Sequence, residues 1–250
     1  MDIRYADPAV RDDLAAAHVR YWRRLARPGA NWSGAQRVAI AREVRHAAGC
    51  AFCRRLKDAL SPFAVEGVHD VHPENRGVLS AVAVDAVHRI VNDASRLTRG
   101  WYERTLADGL TDGEYVELVG TVVSVVSIDS FCRGVGVPLH PLPEPEPGSA
   151  SGYRPETAAH DGQSWVPMVP FDNSGTPEAD LWPVNRTGNV IRALSLAPDE
   201  VRTLNDLGGA HYIEHGRVRD VSAGRAGGAL SRVQIELVAG RVSILNDCFY

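Results

Sequence analysis

The first 137 positions read as a succession of helices, and the pattern of apolar and polar positions is explicit after Thr111, where apolar residues recur at three- and four-residue intervals, the spacing of one buried helical face. Two helix starts are explicit. Ser33-x-x-Gln36 and Thr111-x-x-Glu114 have the form of capping boxes, in which a hydroxyl and the side chain three residues on satisfy backbone N–H groups that the first turn leaves without partners. After Thr111, the positions Tyr115, Leu118, Val119, Val122, Val125 and Val126 fall on one helical side. Valine and threonine favour strands, so TVVSVVSI taken alone could be extended. The cap and the length of the pattern decide for a helix packed on most sides.

The texture changes at Pro138. PLHPLPEPEPG and the following SGYRPETAAHDGQSWVPMVPFDNSGTPEADLWP are rich in proline, which removes backbone donors and blocks helix, so 138–188 is expected to be a linker. Trp165, Met168, Phe171 and Trp182 lie within it and predict a segment that wraps over a surface. Helical patterning resumes near Val190, with Pro198 suited to a first turn, and again at Ser231. A shift of 198 residues superposes SGAQRVAIAREVRHAAGCAFC on SRVQIELVAGRVSILNDCFY: Ser33 falls on Ser231, Gln36 on Gln234, Ala41 on Ala239, Val44 on Val242 and Cys50 on Cys248. A capping box and a cysteine in register predict two homologous all-α units, 1–137 and 189–250, on either side of the linker.

Composition narrows the setting. With 44% hydrophobic and 23% charged residues the chain is expected to fold around a proper core. The net charge of −4 argues against binding nucleic acid or anionic lipid, which needs clustered cations. Lys57 is the only lysine among 27 basic residues, a feature of coding bias that carries no function. MDIRYADPAVRDDLAAAH has no basic and apolar signal-peptide pattern, and the longest uncharged apolar run, Leu118 to Ile128, is shorter than a bilayer requires. No membrane segment is expected, and four cysteines without an export signal suggest a reducing, cytoplasmic setting.

The chemistry centres on Cys50-Ala-Phe-Cys53, followed by Arg54, Arg55 and Lys57. A thiol at a helix N-terminus beside cations is biased toward thiolate, the form that attacks a peroxide oxygen, and a second thiol can then close a disulfide. Two buried cysteines acting as small hydrophobes are the bland alternative. Zinc competes for the same pair, with His69 and His72 as further ligands, although these two histidines stand closer together than a finger spacing has them. His88 and His211 read as satisfied core or surface histidines, and Cys132 as core.

Glu236, twelve residues before Cys248-Phe249-Tyr250, resembles the signature of the alkylhydroperoxidase D and carboxymuconolactone decarboxylase family, in which a helix-borne Glu precedes Cys-x-x-Cys-x-x-x-His. In the first unit LTDGEYVELVGTVVSVVSIDSFCRGVGVPLHPLP is similar to the closing helix of peroxidase-related members. The resemblance implies an α-helical, homo-oligomeric peroxidase or disulfide reductase with no cofactor, acting on a hydroperoxide and reduced by a dithiol protein. It makes Glu236 the relay carboxylate and Cys248 the resolving thiol, and matches Cys50 and Cys53 to both cysteines of the motif. Val38 then stands where the Glu belongs and Lys57 where the His belongs, and the second motif runs past Tyr250. Two accounts of that stopping point are open: a selenocysteine codon read as a stop, or a real truncation. The alternatives to thiol chemistry are a non-catalytic oligomerising helical module and a non-redox, decarboxylase-like enzyme using acid–base residues.

Overall fold

The structure is a computed structural model and describes residues 5, 10–182, 187–218, 220–222, 224, 225, 228–246 and 248. The described residues form helices and irregular chain without a β-strand; two isolated bridges, Arg76 with Leu79 and Ala159 with Met168, are the only β-type pairings among them. The all-α reading holds. Both early capping boxes form, Ser33 opening α2 (Gly34–Ala47) and Thr111 opening α6 (Asp112–Gly134), and a third forms at Ser231, opening α9 (Arg232–Leu245). TVVSVVSI is helical within α6. Val122, Val125 and Ile128 are buried there, and burying each such side chain contributes on the order of 1.5–3 kcal/mol, more than the helix propensity lost to β-branching.

Helix α6 is the axis of the molecule. Against it pack α1 (Asp12–Leu25), α2, α4 (Ala81–Asp93) and α8 (Pro198–His211), while the short α3 (Ala51–Asp58) leans on α4. Thr98 caps α5 (Arg99–Ala107), and α7 (Asn189–Arg192) is one turn leading into α8, which begins on Pro198 as expected. Length and apolarity would let α6 cross a membrane, but 67% of its most apolar window is buried inside the protein, as befits a core helix.

The proline-rich stretch is not a spacer between two cores. Its backbone is tied down where helical hydrogen bonds are impossible: Glu146 N–H donates to Ala26 O (2.7 Å), Gly152 N–H to Ala30 O (2.8 Å), and Val169 N–H to Ser195 Oγ (2.8 Å). Trp22 Nε1 donates to Pro141 O (2.8 Å) from the other side. Met168, Val169, Leu181 and Trp182 enter the same core as Leu118 of α6 and Val201 of α8. The boundaries expected at 138 and 189 therefore do not separate independent cores, because proline blocks helix but not burial of its neighbours. Gly34 marks how close the strap comes: a Cβ there would meet Ala26 O at 2.3 Å and Glu146 O at 2.6 Å.

Two buried polar groups, neither foreseen from sequence, cross-link these helices. Arg37 of α2 is fully enclosed and holds Glu117 of α6 and Glu200 of α8 (3.1 Å), while Arg24 of α1 reaches Glu200 at 2.8 Å. Elsewhere the Tyr5 hydroxyl meets His18 Nδ1 (2.5 Å) and His140 Nε2 (2.8 Å), and His18 Nε2 meets His211 Nε2 (2.6 Å). Cys132 lies beside Tyr5, fully buried, as the core reading expects. By contrast α9 buries none of its residues, and Val233, Leu237, Val238, Val242, Ile244 and Leu245 stand exposed on it.

Candidate thiol–histidine site

Cys50 ends the turn after α2 and occupies the N-cap position of α3, and Cys53 follows one helical turn later. Both are buried and unpaired to any disulfide. The chain then leaves α3 at Ala59, makes one 3-10 turn (Pro62–Ala64), returns His69 to the thiols, and makes a second (Pro73–Asn75) before α4 begins at the Ser80 cap. His88 comes from the middle of α4, where Asp85 precedes it by three residues and so shares its helical side.

Cys53 Sγ lies 3.4 Å from His69 Nδ1 and 3.3 Å from His88 Nδ1, and Cys50 Sγ lies 3.7 Å from His69 Nδ1. The four side-chain atoms lie within 4.8 Å of one another. Each imidazole is held from behind by a carboxylate. His88 Nε2 donates to Glu43 Oε1 at 2.8 Å, with both groups fully buried, and His69 Nε2 donates to Asp85 Oδ1 at 3.0 Å. A carboxylate acceptor places the imidazole proton on Nε2, so both Nδ1 lone pairs face the sulfurs.

The carboxylates are themselves fixed. Glu43 also accepts from Asn75 Nδ2 (2.5 Å) and the His72 backbone N–H (3.3 Å), and Asp85 accepts from Arg89 Nε (2.9 Å) and Trp101 Nε1 (3.1 Å). Burial pushes Asp85 up, but His69, Arg89 and Trp101 outweigh it and bring its pKa down to about 2. Glu43 is likewise lowered: burial opposes, and the bonds from His88, Asn75 and His72 prevail. For Cys50, burial is overcome by the backbone N–H groups of Cys53 and Asp70 and by His69, and its pKa falls to about 6. Burial, then the bond and charge of Cys50, push Cys53 up to about 12. The pair is thus asymmetric, with thiolate favoured at Cys50 and disfavoured at Cys53.

A cleft of about 490 Å³, lined by Phe52, Val65, Gly67, Val68, His69 and Asp85 among others, reaches the histidine side of the cluster. Behind Cys53, between Leu56, Phe63 and His88, is a void of only about 10 Å³, room for about one water.

The structure brings the two thiols singled out from sequence together with one of the two histidines weighed as zinc ligands. His69 is at the thiols, but His72 is not: its Nδ1 accepts from the Glu74 backbone N–H at 3.3 Å and caps a 3-10 turn, because two residues in irregular chain need not share a direction. His88, read as core, takes the expected place of His72. Val38 is a core residue and Lys57 is not among the cluster's groups. Carboxylate and imidazole come instead from Glu43, a turn and a half further along α2, and from α4. Asp85-x-x-His88 on an apolar helix was the available sequence signal.

The second-unit assignments do not converge in the same way. Glu236 is exposed and held by the Tyr212 hydroxyl and by Arg232 Nε (2.6 Å), and Cys248 is exposed with its backbone N–H on Ser243 O (3.0 Å). Among the described residues no hydrogen bond joins Glu236 to Cys248, and Phe249 and Tyr250 lie outside those residues. No family model, curated protein or solved structure matches this chain.

Proposed function

We propose that the chain is a thiol-dependent peroxidase or disulfide reductase of the alkylhydroperoxidase type, working at Cys50 and Cys53. The observation that carries this reading is the pairing of two buried thiols, one helical turn apart, with two histidines whose far nitrogens rest on carboxylates. A carboxylate, an imidazole and a thiol pair are the group types that the resemblance calls for, and their presence side by side supports the reading, although they do not stand in the family's linear register.

The chemistry follows from the asymmetry. Cys50 thiolate attacks the terminal oxygen of a hydroperoxide entering from the His69 cleft. The O–O bond breaks, the alkoxide takes a proton and leaves as alcohol, and Cys50 becomes a sulfenic acid. His88 Nδ1, 3.3 Å from Cys53 Sγ and oriented by Glu43, accepts the Cys53 proton. Cys53 then attacks the Cys50 sulfur, water departs with that proton, and a disulfide is left. An external dithiol restores both thiols and is itself oxidised to a disulfide.

Trapping distinguishes this from a passive pair. In Cys53→Ser, one equivalent of organic hydroperoxide should leave a sulfenic acid on Cys50 that a cyclic 1,3-dione captures, and Cys50→Ser should capture none. Equal labelling of both variants, or of neither, would overturn the reading.

A further inference from the structure

We propose that Cys50, Cys53, His69 and His88 form a tetrahedral site for a zinc ion, and that the ion and the Cys50–Cys53 disulfide exclude each other. The first half stands on geometry. Zinc bonds of about 2.3 Å to thiolate and 2.0–2.1 Å to imidazole put neighbouring S and N ligands about 3.5 Å apart in a tetrahedron. Three of the four Sγ–Nδ1 separations are 3.3, 3.4 and 3.7 Å, and all four donor atoms fall within 4.8 Å of one another. Ordinary packing has no need to bring two sulfurs and two imidazole lone pairs to a single point.

The surroundings have the form that a metal centre needs. Both imidazoles present Nδ1 because Glu43 and Asp85 hold Nε2–H, and such carboxylate–histidine pairs orient metal ligands and raise their basicity. Two thiolates match the charge of one divalent ion. Two thiolates and two imidazoles suit zinc over magnesium or calcium, which take oxygen. Four protein donors leave no open position for an activated water, so the ion's work is to hold α3, the His69 loop and α4 together and to cover the thiols, not to hydrolyse.

The second half rests on the thiol reading above. A hydroperoxide that reaches the zinc-bound thiolates takes two electrons from them and two protons from solvent. The sulfurs join as a disulfide, the O–O bond gives alcohol and water, and the ion leaves because a disulfide offers it no thiolate. Bound zinc and the disulfide are thus alternative states of the pair, and oxidation releases the ion.

Cobalt(II) reports on such a site. Reduced, chelator-stripped protein titrated with Co²⁺ without oxygen should develop a thiolate-to-cobalt charge-transfer band and intense tetrahedral d–d bands that saturate at one ion per chain, and Zn²⁺ should bleach them. His88→Ala should abolish the bands and His72→Ala should not. Asp85→Asn, which keeps the shape of the side chain, should weaken affinity about 10–100-fold. Adding organic hydroperoxide to the zinc-loaded protein should release one zinc per disulfide formed. Absence of the charge-transfer band from protein whose circular dichroism is native, or bands that persist in His88→Ala, would overturn the metal site even if the thiols still react with peroxide. Bands that appear as described on a protein inert to peroxide would support the metal site, and would overturn its release by oxidation together with the thiol reading.

Discussion

Replacing Glu43 by glutamine changes one oxygen for an amide nitrogen in a fully buried site, and the hydrogen-bond pattern around it sets the consequence. Oε1 accepts from His88 Nε2 at 2.8 Å, Oε2 accepts from Asn75 Nδ2 at 2.5 Å, and the His72 N–H lies 3.3 Å from both. Glutamine can satisfy one of the two side-chain donors, but its NH2 group must then face the other, whichever way it turns. The variant loses one charge-assisted bond, worth about 1.5–3 kcal/mol, and leaves a buried donor without an acceptor; removing a buried charge offsets part of this. A net loss of about 2–4 kcal/mol is expected in urea unfolding. His88 is left with at best a neutral amide oxygen in place of the carboxylate that fixes its Nδ1 toward Cys53, so formation of the Cys50–Cys53 disulfide by hydroperoxide should slow by about 10–100-fold, by analogy with groups that orient a working histidine. Stopped alkylation followed by mass measurement gives that rate, and Glu103→Gln, on an exposed position away from the cleft, is the control. Glu43→Gln within about 0.5 kcal/mol of the parent and with the same oxidation rate would refute the argument that Glu43 positions His88.

Three further outcomes test the frame. Arg37→Met leaves Glu117 and Glu200 buried with Arg24 as the one remaining cation on Glu200, and should lower unfolding stability by about 3–5 kcal/mol in urea. Gly34→Ala drives a methyl against two backbone oxygens and should cost about 1–3 kcal/mol, loosening the 138–152 strap to limited proteolysis first. Burial, aided by the neighbouring His211 and His140, brings His18 down to about 3, and burial with the nearby Arg11 brings His211 to about 4. Both are therefore neutral in the folded chain while the unfolded chain protonates near pH 6.5. Their contribution is complete above pH 6.5 and is lost as pH falls toward 4, with a slope of up to about 1.4 kcal/mol per pH unit for each. Urea midpoints between pH 7 and 4 should show this slope, and His18→Phe should flatten it.

What could be read from the sequence was what local chemistry determines. Ser33, Thr111 and Ser231 announce their helices through a hydroxyl and a side chain three residues away, and Pro198 marks a first turn without help from tertiary structure. The Cys-x-x-Cys pair is legible for the same reason. The rest of the site is not local. Glu43 lies seven residues before Cys50, and His88 lies 35 residues after Cys53 on another helix, so only the packing of α2 against α4 brings them together. The motif's linear register points to Val38 and Lys57, whereas the carboxylates and imidazoles that the fold brings to the thiols come from α2, α4 and the His69 loop. The burial of 138–182 was equally hidden, since prolines signal the absence of helix and say nothing of what Met168 and Val169 touch.

Peptide mapping after reaction with one equivalent of hydroperoxide tests most directly whether Cys50 and Cys53 are a working pair. The expected product is one intramolecular Cys50–Cys53 disulfide, with Cys132 still a free thiol, formed faster than in Glu43→Gln and reversed by a dithiol. Recovery of Cys50 and Cys53 as unmodified thiols from folded, metal-free protein would contradict it.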